Sequence, residues 1–214
     1  MRNRFDRQLH LLDEQLTHMG ELCETAIAKA TQALKDGSIE QAKVIIAEDE
    51  EIDQIEKDIE RLCLKLLLQQ QPVAKDLRRI SAALKMITDM ERIGDQASDI
   101  AEIIGFLNGR IGTDAQYICQ MAVAAMRMVT ESVEAYVKRD VAMAEATIQH
   151  DDVVDDLFLK VKESLIQMIS ENPKDGEYAL DLLMIAKYFE RIGDHATNIA
   201  EWVVFSVTGM HEQG

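Results

Sequence analysis

Apolar residues recur at three- and four-residue steps along almost the whole chain, the period of an amphipathic helix. The first stripe runs Phe5, Leu9, Leu12, Leu16, Met19, Cys23, Ile27, Ala30, Leu34 and stops at "KDGS". There Gly37 suits the residue just past a helix end, and Ser38 suits the cap of the next helix. A second stripe, Ile45, Ile52, Ile55, Ile59, Leu62, Leu66, leads to "QQQP". Pro72 stops it and is placed to open a third helix from its first turn. That third helix carries Ile80, Leu84 and Ile87 and fades into "GFLNGRIGTD", a glycine cluster that reads as a linker. The pattern then restarts. Thr113 or Asp114 caps a fourth helix bearing Ile118, Met121, Ala125, Met128, Val133 and Val137. "KRD" turns the chain, Asp140 caps a fifth helix ending at "SENPKDG", and a sixth carries Leu180, Leu183 and Ala186.

Breakers fall in the same order in both halves, and so does one line of text. "MERIGDQASDIAE" at 90–102 returns as "FERIGDHATNIAE" at 189–201. The expectation is an all-α fold of two tandem, pseudo-symmetric three-helix bundles, residues 1–108 and 113–214, with 1–108 and 113–208 superposable. Helices of roughly 25–35 residues would be about 40–50 Å long, and long antiparallel helices with short connections form bundles.

Composition agrees: 47% apolar residues, two prolines and ten glycines in 214 residues describe a globular helical protein. No apolar run approaches the roughly 18 residues needed to cross a bilayer. The charged, amphipathic start lacks a signal core, so a cytoplasmic protein is expected. With 23 basic residues against 39 acids, the net charge of −16 argues against nucleic-acid phosphates and for cations or basic partner surfaces. Cys23, Cys63 and Cys119 show no C-x-x-C spacing and read as buried thiols in a reducing compartment.

Shared packing explains repeated apolar letters, but repeated acids need another reason. Glu91 and Asp95 lie four apart on one helical face, with Asp99 continuing the row. They interrupt the stripe that Leu84 and Ile87 begin. Glu190, Asp194 and Asn198 repeat the row in the second half. Each row encloses a glycine, Gly94 or Gly193, which costs about 1 kcal/mol relative to alanine inside a helix. A missing Cβ permits either a close helix crossing or room beside a bound ion. A second acid row precedes each: Asp49 and Asp53 in "DEEIDQI", Asp151 and Asp155 in "DDVVDDL". Glu56 and Glu60 fall opposite Phe158 and Lys162 and read as solvated surface charge. Converging carboxylates repel by about 4 kcal/mol per pair at 4 Å with an effective dielectric near 20. Pairing with Arg92 or Arg191, or a hard cation, offsets this. Oxygen ligands suit magnesium, calcium, manganese or iron. His195 stands where the first half has Gln96, so imidazole is not common to both rows.

At this point the chain resembles the PhoU family, regulators that accompany the bacterial phosphate-specific ABC transporter. The resemblance rests on "FDRQLHLLDEQLTHMG", on "QPVAKDLRRI" at 71–80 and on the doubled "ERIGD…IAE", and spans essentially the whole sequence. It implies two similar bundles and divalent or iron-type metal ions (magnesium, manganese, iron or zinc) held through acid pairs four apart. Carried onto this sequence, the ligands are Asp49, Asp53, Glu91 and Asp95 in the first half, and Asp151, Asp155, Glu190 and Asp194 in the second. Asp99 and Asn198 extend the rows, and the neutral Asn198 implies a weaker second site.

The resemblance also implies a negative regulator of the phosphate-starvation response and modulator of phosphate uptake. Its partners would be a sensor histidine kinase and the transporter's ATPase subunit. A homodimer, cytoplasmic or peripheral at the inner membrane face through those partners, is expected. Two other classes compete. A di-iron enzyme needs Glu-x-x-His pairs, and no Glu here precedes a His by three. A metal-binding helical scaffold without a signalling role fits the same acid rows. With no nucleophile, phosphate loop or basic patch in the sequence to suggest hydrolysis or DNA binding, catalysis is not expected.

Overall fold

The computed structural model describes residues 2–69, 72–107, 109–110 and 115–210. All regular structure there is helical. Helix α1 (Arg2–Asp36), α2 (Ile39–Gln69) and α3 (Ala74–Phe106) form the first half. In the second half come α4 (Gln116–Lys138), α5 (Val141–Gln149), α6 (Asp151–Glu171) and α7 (Gly176–Thr208), with a short 3-10 turn at Pro173–Asp175.

Most punctuation acts as the sequence predicts. Gly37 takes φ 61° past α1, and Ser38 Oγ accepts from the Gln41 N–H at 3.3 Å to cap α2. Asp140 caps α5 through the Met143 N–H at 3.0 Å. One of the breakers acts differently. Pro72 does not open α3 but precedes its cap residue, Val73, because the helix starts at Ala74. The expected cap at Thr113 or Asp114 lies outside the described residues.

The fifth helix is one rod with a local break: α5 and α6 meet at His150 (φ −70°, ψ −13°). There the backbone N–H divides between the Ala146 and Thr147 carbonyls, both at 3.1 Å. Such sharing marks a tightened turn, not a helix end.

Every residue of the first stripe, Phe5 through Leu34, is buried. In α7 the stripe is shifted from expectation. Leu180 is exposed and Leu183 only half-buried, while Leu182, Ile185, Ala186, Phe189 and Ile192 are fully buried. The reason is neighbourhood: α7 packs against α3, α4, α5 and α6 and so buries a broad face. α3 is equally central, against α1, α2 and α7. The buried apolar side chains of the two halves join in a single continuous core. Cys23 and Cys63 are buried free thiols, as expected, and burial pushes both up to about 12; Cys119 is half-buried.

Pairing of α3 with α7 displays the internal symmetry. Asp89 on α3 accepts from the Asn198 amide at 3.1 Å and meets His195 Nδ1 at 2.9 Å. The equivalent of Asp89 in the second half is Tyr188, and that of Asn198 is Asp99. Tyr188 lies close enough to Asp99 to hold its carboxyl down against the rise that desolvation, Glu102 and Asp95 impose. The same two positions meet twice, once from each side of the crossing.

Candidate acidic seams

Each acid row on α3 or α7 faces one on the preceding long helix, α2 or α6, and the glycines set how closely they meet. A Cβ on Gly94 would stand 2.8 Å from Asp49 Oδ1 and 2.9 Å from Ile52 Cδ1. On Gly193 it would stand 3.2 Å from Asp151 Oδ1 and 3.5 Å from Val154 Cγ1. These contacts support the close-crossing reading of the glycine. Close approach of the helices is what lets one carboxylate sit against the opposing backbone.

This placement is electrostatically costly. Asp49 is half-buried, and its carboxyl is pushed up to about 6, first by desolvation and then by Asp95, Asp53 and Asp99. Asp151 is pushed up to about 6 in the same way, by desolvation and then by Asp194 and Asp155. Glu91 rises through desolvation and Asp95. Asp155 and Asp194 rise through partial desolvation and Glu190, with Lys187 opposing.

Bases answer part of the charge. Arg92 pairs with Asp95 at 2.9 Å and with Glu91 at 3.5 Å, and Lys57 lies 3.6 Å from Asp53. In the second seam Lys187 pairs with Glu190 and lies 5.5 Å from the Phe158 ring centroid. Arg191, expected to mirror Arg92, instead lowers Asp99 across the α3–α7 crossing.

The structure thus brings Asp49, Asp53, Glu91 and Asp95 to one seam and Asp151, Asp155, Glu190 and Asp194 to the other. Asp99 and Asn198 sit at the α3–α7 crossing, engaged by Tyr188 and Asp89. Glu56 corrects an expectation. It is half-buried, raised by desolvation and then by Glu60 and Asp53, and it adds to the charge at Glu91. Its partner position holds Phe158, and reading both halves as equal hid it. Asp89 was missed for a similar reason, since its equivalent is Tyr188.

Among the described residues, no three His, Cys, Asp or Glu side chains are drawn close enough to hold an ion as they stand. The donor chemistry and the glycine-made cradles fit a hard cation. Arg92, Lys57 and Lys187 hold the side chains that would have to turn toward it.

Fold and seams define an internally duplicated, all-α protein with one acidic seam per repeat. The PhoU domain, as a family, matches residues 16–104 and again 118–203; the chain belongs to the PhoU family. It is 37% identical over 207 residues to the phosphate-specific transport system accessory protein PhoU homolog of Clostridium acetobutylicum, covering 96% of this chain and 94% of that one. The crystal structure of PhoU from Pseudomonas aeruginosa superposes with a TM-score of 0.90 at 32% identity, covering 96% of this chain and 100% of that one. That of the phosphate transport system regulatory protein PhoU from Streptococcus pneumoniae gives 0.89 at 26%, covering 98% and 100%. Among the described residues, no helix is long and apolar enough to cross a membrane.

Proposed function

We propose that this protein is a non-catalytic accessory regulator of phosphate-specific uptake that acts in the cytoplasm. The observation that carries the reading is whole-length similarity to a protein named as an accessory of phosphate-specific transport, covering 96% of this chain and 94% of the relative. It restrains the phosphate-starvation response by linking the transporter's ATPase subunit to a sensor histidine kinase, and it works as a homodimer. Long helical faces supply the contacts, and a net charge of −16 steers basic partner surfaces.

Within this reading, Asp49, Asp53, Glu91 and Asp95 hold one hard cation, and Asp151, Asp155, Glu190 and Asp194 another. A bound cation supplies positive charge that relieves carboxylate repulsion and ties α2 to α3 and α6 to α7. This chain's own residues do the rest. The glycines let Asp49 and Asp151 reach the opposing backbone, and Arg92, Lys57 and Lys187 neutralise the seams when no ion is present.

A starvation-gene reporter at high phosphate, with recovery of both partners from the same cells, tests the function. Deletion should raise reporter expression, and the tagged protein should bring down the kinase, the ATPase subunit or both. Normal repression with neither partner recovered overturns the adaptor reading and leaves the scaffold.

A further inference from the structure

In a chain of net charge −16, four basic residues gather around one cavity. A cavity of about 160 Å³ lies where the start of α3 and the ends of α4 and α7 meet. Lys75, Arg78, Arg79 and Arg139 line it, and Asp76 is the only acid among its described lining residues. Three of those bases and the acid belong to "QPVAKDLRRI" and its helix start, a stretch to which the acid seams give no role.

Three observations point to an anion. The first is unmet donors. Arg79 is only 9% exposed and commits a terminal nitrogen to Asp13. Its Nε, like that of Arg78, is closed to solvent yet has no partner among the described residues. Arg78 Nε packs beside Gly209, and buried donors without an acceptor are costly, so a small turn of either guanidinium toward an anion in the cavity is favoured. The second is the uncapped start of α3, where Val73 makes no side-chain cap. The positive end of that helix begins at the residues lining the cavity, with the Asp76 N–H bonded back to the Val73 carbonyl at 2.8 Å.

Arg139 is the third. At φ 57° it is the only non-glycine residue with positive φ among the described residues. Glycine or asparagine ordinarily fills such a position after a helix. Here an arginine is held there and lines the cavity.

Size narrows the ligand. Cofactor and drug-sized sites occupy about 300–1,000 Å³, so this cavity suits a small ion rather than a nucleotide. Guanidinium forks match the paired oxygens of a tetrahedral oxyanion. We propose that Arg78, Arg79, Arg139 and the first turn of α3 form a binding site for a small, multiply charged tetrahedral oxyanion, phosphate or sulfate. None of the seam acids lines this site, so it stands or falls independently of the cations.

Titration calorimetry on chelator-treated, full-length protein at low ionic strength tests it, with phosphate and sulfate as separate arms and chloride as control. Removing metal first prevents cation-bound phosphate at the seams from contributing. One saturable site per chain is expected, with Kd tighter than about 1 mM for at least one oxyanion and weakening as salt rises. The tighter arm identifies the source. Arg139→Asn keeps the left-handed turn, and Lys75→Gln alters an exposed side chain. Each should weaken binding by roughly tenfold, and Arg78→Gln by more. Should Arg78→Gln fail to fold, the first two variants decide. No saturable binding of either oxyanion overturns the proposal, as does binding that Arg139→Asn and Lys75→Gln both leave unchanged.

Discussion

At Gly94 an added Cβ would meet Asp49 Oδ1 at 2.8 Å and Ile52 Cδ1 at 2.9 Å, whereas at Gly193 the nearest atoms lie 3.2 Å and 3.5 Å away. The letters around the two glycines are nearly the same, yet the first seam is closed more tightly. It is also the more acidic. Glu56, and Asp99 at the neighbouring crossing, correspond to Phe158 and Asn198 in the second half, while the bases also differ, Lys57 and Arg92 beside the first seam and Lys187 beside the second. Duplication preserved the cradle and one crowded aspartate in each half. What surrounds them diverged, so the halves should differ in tolerance and in cation affinity rather than in kind.

The largest separation should come from filling the cradles. Gly94→Ala should destabilise by about 1–3 kcal/mol, because overpacking against buried Ile52 outweighs the gain in helix propensity. Gly193→Ala should stay within about 1 kcal/mol of the parent and can stabilise. Chemical denaturation of both variants measures the difference, and equal costs would erase the contrast between the seams.

Protonation should affect both halves alike. In the folded, metal-free protein, desolvation and neighbouring carboxylates push Asp49 and Asp151 up from 3.8 to about 6. The folded state therefore binds more protons than the unfolded state within that window. Stability should fall as pH rises from about 4 to about 6, with the penalty fully present above 6. Thermal melts of chelator-treated protein should show a higher midpoint at pH 5 than at pH 7.5. Asp49→Asn with Asp151→Asn should flatten the profile and raise the midpoint at pH 7.5. A profile the double variant leaves unaltered would place the titration elsewhere.

Cations should separate the halves again. Manganese added to chelated protein should raise the melting temperature by mass action. Asp95→Ala should remove more of that rise than Asp194→Ala, since the first seam carries more acid. The smallest effect belongs to the neutralising bases. Arg92→Gln should tighten manganese binding by no more than about fivefold, as expected of a largely exposed ion pair.

Much of the architecture was legible because helix periodicity and breakers are local. The stripes, the caps at Ser38 and Asp140 and the doubled order required only the sequence. The single core was not legible, because the stripe of one helix does not reveal how many neighbours it meets. That is why Leu182, Ile185 and Phe189, rather than Leu180, face inward on α7. Acid pairs four apart exposed the seams through their conflict with the apolar stripe. Glu56 and Asp89 stayed hidden because their equivalents, Phe158 and Tyr188, break the repeat. Arg191 acts on Asp99 across the crossing for a reason no spacing records: its helix packs against α3 as well as α6.

Whether the two seams hold cations is read by anomalous diffraction at the manganese edge from crystals grown with manganese. Peaks are expected between α2 and α3 beside Asp49 and between α6 and α7 beside Asp151, with the first more fully occupied at limiting metal. Peaks only at other acidic surfaces, or none at either seam with manganese in excess, would contradict cation binding there.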